Sequence, residues 1–451
     1  MKAIDERPPA HRSLAITTIA LGTAISTLAN TITSIALPTM AIDLNASPST
    51  TIWIVNAYQL VVTVSLLPFA SLGDIYGYRI VYLLGLSVFT AASLLCGLAD
   101  TLPLLVAFRA AQALGAAGIM SVNSALVRLI FPPERLGAGM SVMTLTVAVC
   151  SAAGPSVAAA ILSVASWQWL FIVNVPLGLL GISLAWYSAP QSSAAGHRFD
   201  KVSAVLNALT FGLLLFGFDG VVHGTSPVVI VLELGFGMLA GVIFVRRQRD
   251  LTAPMLPVDL FRLPAFALSV ATSVCSYAAQ TIAQIALPFF FQVAGGVSQS
   301  MVGLMITPWP AVIMIVAPVS GRLSDRYPAG LLCGVGLAIL TAGLVVMLQV
   351  PPNAPFMDVA WRMALCGIGF GFFQSPNVRA LVAAAPRNRS GVASGMMSTA
   401  RLVGQTIGGV AVAMIFGLTQ GDISKGVHIA LALAALASAS ACVLSFMRLR
   451  S

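Results

Sequence analysis

Residues 51–99 read TIWIVNAYQLVVTVSLLPFASLGDIYGYRIVYLLGLSVFTAASLLCGLA. Two apolar runs of about 20 residues stand here on either side of a short polar loop that contains Asp74 and Arg79, and each run is long enough to cross ~30 Å of hydrocarbon as an α-helix. The same alternation of apolar runs and short loops extends along almost the whole chain. The sequence therefore predicts an all-α protein that crosses a membrane many times.

The composition excludes an ordinary soluble enzyme. Of the 451 residues, 58% are hydrophobic and only 8% are charged, whereas soluble domains contain roughly 25% charged residues. The net charge of +9 comes from basic residues scattered over several short loops, so we expect no nucleic-acid partner. The six cysteines lie singly within apolar runs, and we expect neither a metal nor a cofactor.

The distribution of Lys and Arg supports fourteen membrane spans. We predict spans at 13–37, 51–72, 79–99, 102–127, 138–162, 168–188, 202–221, 227–246, 265–291, 301–321, 329–350, 358–381, 391–418 and 426–447. With this count, only Arg362 and Lys425 fall on the side opposite the N-terminus, whereas twelve or thirteen spans would scatter the basic residues over both sides. The positive-inside rule then predicts a multi-pass protein of a bacterial cytoplasmic membrane with both termini in the cytoplasm.

The chain divides into two similar halves around a central pair of spans. We expect a six-helix bundle at 1–190, two additional helices at 191–250 and a second six-helix bundle at 251–451. The loop after the second span contains Leu72-Gly73-Asp74, and the loop after the tenth contains Leu323-Ser324-Asp325. Two such halves around a cavity at the middle of the membrane are typical of an alternating-access transporter.

Several motifs, in order along the chain, resemble those of the major facilitator superfamily. They are Gly73-Asp74-x-x-Gly77-x-Arg79, Arg109-x-x-Gln112-x-x-Gly115, Gly154-Pro155, Trp167-x-Trp169-x-Phe171-x-x-Asn174-x-Pro176-x-Gly178 and the segment from Pro254 to Arg262. The last two are similar to the fourteen-helix drug:proton antiporter branch. The resemblance covers the whole chain and implies the major facilitator fold with two extra central helices. It also implies export of amphiphilic drugs or antiseptics in exchange for protons.

The chain departs from the pattern of that family at several positions. Ala70, Ile75 and Cys150 replace residues that the family motifs prefer. The first span contains Leu28-Ala29-Asn30-Thr31 where the family pattern has an acid at the second position. An acid of the central cavity is therefore missing from its usual place, which weakens the expectation of proton coupling.

Two cytoplasmic loops are predicted to form a gating latch. A carboxylate at a helix end can neutralise nearby Arg and accept hydrogen bonds from the start of a neighbouring helix. We expect Asp74 to contact the helix start near Ser390, and Asp325 the start near Gly137. The proposed gating residues are Gly73, Asp74, Gly77, Arg79, Gly321, Arg322, Asp325 and Arg326.

The coupling of transport to protons is predicted to involve a membrane-embedded arginine. Arg109 lies within a span, and a buried arginine is unfavourable unless it is paired, so we assign it and Gln112 a role in coupling. Asp43 and Glu233 are the acids that we expect to take part. Arg401 is expected to be structural, near the cytoplasmic face. Gly154 and Pro155 are predicted to bend the fifth span.

The substrate cavity is predicted to be apolar and aromatic with scattered amides, which suits small amphiphilic substrates. The candidate residues are Asn30, Thr31, Trp53, Asn56, Tyr58, Met120, Asn123, Gln284, Trp309, Phe373, Gln374 and Asn377. The expected partners are the substrate, protons and the lipid bilayer, and the expected functional unit is a monomer.

Two other functions are compatible with the sequence. The protein could export anionic or neutral metabolites, attracted by Arg109 in a cavity without acids. It could also be a membrane receptor that transports nothing, or a membrane enzyme. The four histidines lie in tails or loops and no catalytic constellation is evident, so we do not expect an enzyme.

Overall fold

The computed structural model describes residues 9–131, 136–191, 199–222, 225–249, 258–324, 326–384, 390–419 and 422–449. These residues form seventeen α-helices, a 3₁₀ turn at Val258–Arg262 and a π turn at Phe290–Ala294, and they contain no β-strand. The α-helices are α1 (Pro9–Asp43), α2 (Pro48–Thr51), α3 (Trp53–Tyr76), α4 (Tyr78–Gly97), α5 (Leu102–Ile130), α6 (Leu136–Leu162), α7 (Trp169–Ile172), α8 (Asn174–Ser188), α9 (Lys201–Val222), α10 (Pro227–Arg249), α11 (Pro264–Phe289), α12 (Gln299–Ile306), α13 (Pro308–Leu323), α14 (Ala329–Met347), α15 (Phe356–Ala384), α16 (Ser390–Leu418) and α17 (Ile423–Met447).

Fourteen helical segments of the described chain are long and apolar enough to cross a membrane, which confirms the predicted count. Three of them consist of two consecutive helices: α2 with α3, α7 with α8, and α12 with α13. The largest difference from the sequence prediction is at the end of α1, which continues past the predicted end at Leu37 to Asp43. Pro38 lies inside this helix, because a proline removes only one backbone hydrogen bond and membrane helices tolerate that loss.

The two sides of the molecule differ in charge. Successive spans alternate in direction, so α1 begins and α17 ends on the same side. We name it the basic side, because Arg79, Arg246 and Arg448 lie there, and we name the opposite side the far side. That the basic side faces the cytoplasm stays a prediction of the positive-inside rule.

The extra helices α9 and α10 pack against each other; α9 contacts α3 and α16, and α10 contacts the 3₁₀ turn at Val258–Arg262. On the first half, the side-chain amide of Asn207 donates to the carbonyl of Val64 over 2.8 Å. At the basic side, Asp200, which directly precedes α9, forms an ion pair with Arg247 of α10 at 3.2 Å. Burial raises the pKa of the Asp200 carboxyl, but hydrogen bonds from Ser203 and Arg247 outweigh it and hold that pKa below its usual value. The residue boundaries of the three predicted parts stay a prediction.

The buried apolar core is divided unevenly between the two sides. One cluster joins far-side residues of the first half, such as Ile35, to the second half, including Phe289. A separate cluster contains the basic-side part of the first half, with Val81 and Leu126, and only Leu402 from the second half. The two halves therefore share one core at the far side and have separate cores toward the basic side, which describes a state closed to the far side.

Candidate functional site

A cavity lies between the two halves, near the middle of the spans. Helices α1, α3, α5 and α6 contribute one wall, and α11, α13, α15 and α16 contribute the other. The cavity has a volume of about 120 Å³, which is room for roughly ten waters or a small organic molecule. The described lining residues are Ser26, Thr27, Asn30, Thr31, Ser34, Tyr58, Gln59, Val62, Met120, Val147, Ser151, Tyr277, Gln280, Gln284, Pro310, Ile313, Phe370, Gln374, Arg401, Leu402 and Gln405.

The wall of this cavity is mainly polar, which corrects the prediction of an apolar and aromatic lining. It presents six side-chain amides, seven hydroxyls and one guanidinium, against seven apolar residues. The polar residues recur with helical spacing, as with Ser26, Asn30 and Ser34 on α1. Ser26 and Ser34 were not predicted as cavity residues. Their helical spacing, which places them on one face of α1 with Asn30, is the signal by which they could have been found.

Six of the twelve predicted substrate-binding residues line the cavity. They are Asn30, Thr31, Tyr58, Met120, Gln284 and Gln374. Two hydrogen bonds arrange the first-half wall: Gln59 Nε2 donates to Asn30 Oδ1 over 3.3 Å, and the Tyr58 hydroxyl donates to the carbonyl of Ser26 over 3.3 Å. Their role in substrate binding stays a prediction.

The other six predicted residues are not among those that line the cavity. In the first half, Trp53 stacks on Phe216 of α9, with ring centroids 5.5 Å apart, and Asn123 Nδ2 donates to Thr23 over 2.9 Å. Asn56 is buried where α3 meets α16. Each side chain turns toward a neighbouring helix, which the sequence position alone did not reveal.

The remaining three residues belong to the packed interior of the second half. Trp309 and Phe373 are buried, and the Phe373 ring meets Tyr277 edge to face. Asn377 is buried, donates to Ser273 Oγ over 2.7 Å and accepts from Arg448 at 2.8 Å. These side chains stabilise the second half rather than face the cavity.

Arg109 is fully buried behind the cavity wall. Its Nε donates to the carbonyl of Ile54 over 3.1 Å, and its Nη1 donates to Gln112 Oε1 over 2.5 Å and to the carbonyl of Ala29 at 3.4 Å. The guanidinium lies over the Tyr58 ring, 4.2 Å from its centroid. Arg109 therefore packs against the face of the Tyr58 ring and contacts the backbone of Ala29. Ala29 is the position at which the family pattern has an acid.

The structure does not bring the two predicted coupling acids to Arg109. Asp43 ends α1 and accepts a hydrogen bond from Trp167 Nε1 over 3.0 Å. It lies fourteen residues beyond Ala29 on the same helix, which is about 21 Å at the rise of an α-helix. Glu233 lies on α10 and faces Gly217 of α9. Neither acid lines the cavity, so a direct ion pair with Arg109 is absent from the described residues.

The first gating loop is held by its own residues. Gly77 joins α3 to α4 with φ +97°, a conformation that glycine adopts without strain. The Tyr78 hydroxyl donates to Asp74 Oδ1 over 2.6 Å, and Arg79 donates to the carbonyl of Trp186 on α8. Gly73 is buried against Val122 of α5, where a side chain would collide. The side chain of Ser390, the predicted partner region of Asp74, lies outside the described residues.

The second gating loop differs from the first. Gly321 lies in α13 beside Ser375, with room for a larger residue, and Arg322 and Arg326 are exposed. Asp325 lies outside the described residues, as does the detail of its predicted partner region near Gly137. The latch in this half therefore stays a prediction.

Replacing Asp74 with Asn is expected to reduce transport at least tenfold while leaving the amount of folded protein unchanged. Asn can still accept the hydrogen bond of Tyr78, so only the charge that we assign to the latch is lost. Initial transport rate and membrane abundance are the measurements. Tyr78→Phe is the matched control, because it removes the local bond and keeps the charge. Full activity of Asp74→Asn would contradict a gating role.

Gly154 and Pro155 stand where α6 meets two other helices. Gly154 lies so close to Thr31 of α1 that an added Cβ would lie 2.6 Å from a Thr31 methyl carbon. Pro155 lies inside α6 and cannot donate to the carbonyl of Ser151, a cavity residue. The carbonyl of Pro155 faces Gly303 of α12 in the second half. Pro155 thus removes one backbone hydrogen bond of α6, and its carbonyl contacts the second half of the molecule.

Further contacts between the halves close the far side, and we call them the far-side seal. Gln292 Nε2 donates to the carbonyl of Ile35 over 2.9 Å, and Gln299 donates to Thr39. The hydroxyls of Ser156 and Thr307 are 2.9 Å apart.

The tightest point of the far-side seal is between α3 and α16. A Cβ added to Gly409 would lie 2.0 Å from Asn56 Oδ1. A larger residue at position 409 therefore requires the Asn56 side chain or the two helices to move.

Comparisons with known proteins agree with this architecture. Residues 19–409 match the family model described as Major Facilitator Superfamily. The chain is 47% identical to "Uncharacterized transporter YebQ" of Escherichia coli (strain K12), over 99% of this chain and 97% of that protein. It is 31% identical to "Multidrug resistance protein Stp" of Mycobacterium tuberculosis (strain CDC 1551 / Oshkosh), over 84% of this chain and 71% of that protein.

The fold is also similar to that of solved structures. The crystal structure of a bacterial homolog to the human lysosomal transporter Spinster superposes with a TM-score of 0.69. The two chains share 16% sequence identity, and the match covers 98% of each. At this identity the likeness concerns the fold alone.

Proposed function

Because this chain belongs to the Major Facilitator Superfamily, we propose that it exports small amphiphilic compounds, such as drugs or antiseptics, across the cytoplasmic membrane in exchange for protons. The observation that carries the proposal is the central cavity, to which each half contributes four helices. A cavity between two halves that share a core on one side only is the arrangement that alternating access requires. Opening of the far-side seal would expose the same cavity to the other side of the membrane.

The direction of transport and the substrate class are inferred from the relatives and the cavity wall. Stp is described as a multidrug resistance protein, and a membrane transporter protects a cell from many drugs when it removes them. The wall combines amides and hydroxyls with Met120, Ile313 and Phe370, which suits molecules with both polar and apolar parts. The α9–α10 pair supports placement in the fourteen-helix drug:proton antiporter branch. One chain forms the whole cavity, so we expect a monomer to be sufficient.

Uptake into everted membrane vesicles tests the proposal. Respiration acidifies the interior of such vesicles, so an exporter driven by proton exchange should concentrate its substrates inside them. We expect at least one compound of a panel of cationic, anionic and neutral dyes to accumulate, and a protonophore to abolish the accumulation. Vesicles without the protein are the control. Binding without accumulation would support a receptor instead, and accumulation that ignores the protonophore would contradict proton exchange.

The proton carrier is expected to lie outside the described cavity wall, which contains no carboxylate. Asp43→Asn should reduce substrate-induced proton release more than Glu233→Gln does. Asp43 is bonded to the buried Trp167 at the far side, where opening of the seal would change its surroundings, whereas Glu233 lies in the peripheral α9–α10 pair. Proton release from purified protein on substrate addition is the measurement. Loss of release in Glu233→Gln alone would assign coupling to the extra helices.

A further inference from the structure

One charged side chain stands in the described cavity wall, and it is Arg401 of α16. The sequence reading assigned Arg401 a structural role near the cytoplasmic face, because its depth was counted from the end of the span. The structure places it in the wall of the cavity that Ser26 and Asn30 of α1 also line. Arg401 therefore contributes a positive charge to the cavity wall.

Arg401 has no partner in the described part of the protein. Its Nε is buried and makes no hydrogen bond, and none of the carboxylates that the structure describes forms an ion pair with it. The other membrane-embedded arginine, Arg109, differs, because two backbone carbonyls and Gln112 accept its hydrogen bonds. An unpaired guanidinium inside the membrane is strongly unfavourable unless it faces water or a ligand of opposite charge. A guanidinium at a cavity wall without an ion-pair partner thus indicates a ligand that binds there.

The groups around Arg401 are neutral, and all of them except Tyr58, whose hydroxyl donates to the carbonyl of Ser26, can donate hydrogen bonds to a ligand. Tyr58 of the first half and Tyr277 of the second lie within electrostatic range of the guanidinium. The side-chain amides of Gln280, Gln284 and Gln405 line the same cavity and make no hydrogen bond to another described residue. Arg401, Tyr277 and the three amides are thus donors that line one cavity with a net positive charge.

We propose, on the basis of the proposed transport through this cavity, that the site recognises organic anions. Arg401 binds a carboxylate, sulfonate or phosphate group through two parallel N–H donors, and the free amides complete the shell of donors. Met120, Ile313 and Phe370 contact the apolar body of the same molecule. Organic cations are disfavoured, because like charges repel and the described wall offers them no carboxylate. Specificity for charge thus comes from one residue of the second half.

Two dyes that share a xanthene ring system test the inference. Fluorescein is anionic and rhodamine 123 is cationic, so the pair compares charge at nearly constant shape. Binding of each dye to the purified protein is measured by fluorescence anisotropy. We expect the wild type to bind fluorescein at least tenfold more tightly than rhodamine 123. Arg401→Gln should remove that preference, because it retains amide donors but lacks the charge, and Arg401→Lys should retain part of it.

Controls separate recognition from folding. Gln405→Ala lies one helical turn from Arg401 and removes a neutral donor, so it should weaken both dyes by similar factors. The melting temperature of each variant in detergent reports whether the fold survives. An effect of Arg401→Gln that is equal for both dyes, or a wild type that binds neither dye or prefers the cation, overturns the inference. Cationic compounds that accumulate in everted vesicles would then leave the proposed export intact, whereas absence of any accumulation overturns the proposed function itself.

Discussion

Arg109→Ala is expected to abolish transport and to lower the amount of folded protein. The side chain links the backbone carbonyls of Ile54 and Ala29 to Gln112, whose Nε2 donates in turn to Ser93 over 2.7 Å. This network joins α5 to α1, α3 and α4. Removal of the guanidinium leaves buried neutral acceptors without their donor, which costs about 1–3 kcal/mol of folding free energy for each unsatisfied group. Loss of the guanidinium also removes the support behind Tyr58 in the cavity wall.

The measurements for Arg109 are membrane abundance, melting temperature in detergent and initial transport rate. Arg109→Lys separates charge from geometry, because an ammonium keeps the charge but lacks the planar set of donors that reaches three acceptors. We expect it to fold and to transport at a strongly reduced rate. Gln374→Ala is a comparison variant at the cavity wall. It removes only one long hydrogen bond, from Gln374 Nε2 to the Tyr277 hydroxyl at 3.5 Å. Normal transport by Arg109→Ala would show that the network is dispensable.

Gly409→Val is expected to open the far-side seal. Its Cβ would lie 2.0 Å from Asn56 Oδ1, and the valine methyl groups extend further toward α3, so the Asn56 side chain must be displaced and we expect α3 and α16 to move apart. Overpacking of this kind costs about 1–3 kcal/mol, which shifts the ratio of the closed to the open state by roughly five- to 150-fold. The cost falls on the closed state alone, because the contact exists between the two halves. The variant should therefore fold but rest with its cavity open to the far side.

Accessibility of a single cysteine measures this shift. Ser34→Cys, in a background without the six native cysteines, places a thiol at the cavity wall. A membrane-impermeant maleimide added to intact cells should label it several-fold faster in Gly409→Val than in the parent. Gly212→Val is the matched control, because no atom lies within 4 Å of a Cβ added there. Unchanged labelling together with full transport would show that this contact does not close the cavity.

The fold was predictable because it depends on quantities that a sequence contains. Run lengths and loop charges gave fourteen spans, and only local effects, such as the continuation of α1 through Pro38, shifted their ends. The cavity was harder to predict, because depth along a span does not fix the direction in which a side chain points. Trp53 and Asn30 both lie on spans of the first half, yet one packs on α9 and the other faces the cavity. Pairings across helices, such as that of Arg109 with backbone carbonyls, left no signal in the sequence.

The unpaired guanidinium of the cavity has an electrical consequence for the transport cycle. With an organic monoanion bound to Arg401 the cavity is neutral, and without cargo it returns with one positive charge. Each cycle that releases the anion outside a cell therefore carries one negative charge outward in net terms. An inside-negative membrane voltage favours this movement. That movement is worth about 2.3 kcal/mol per 100 mV, equivalent to roughly a fiftyfold concentration ratio. Voltage alone would then suffice to drive the export of such an anion even when the pH is equal on both sides.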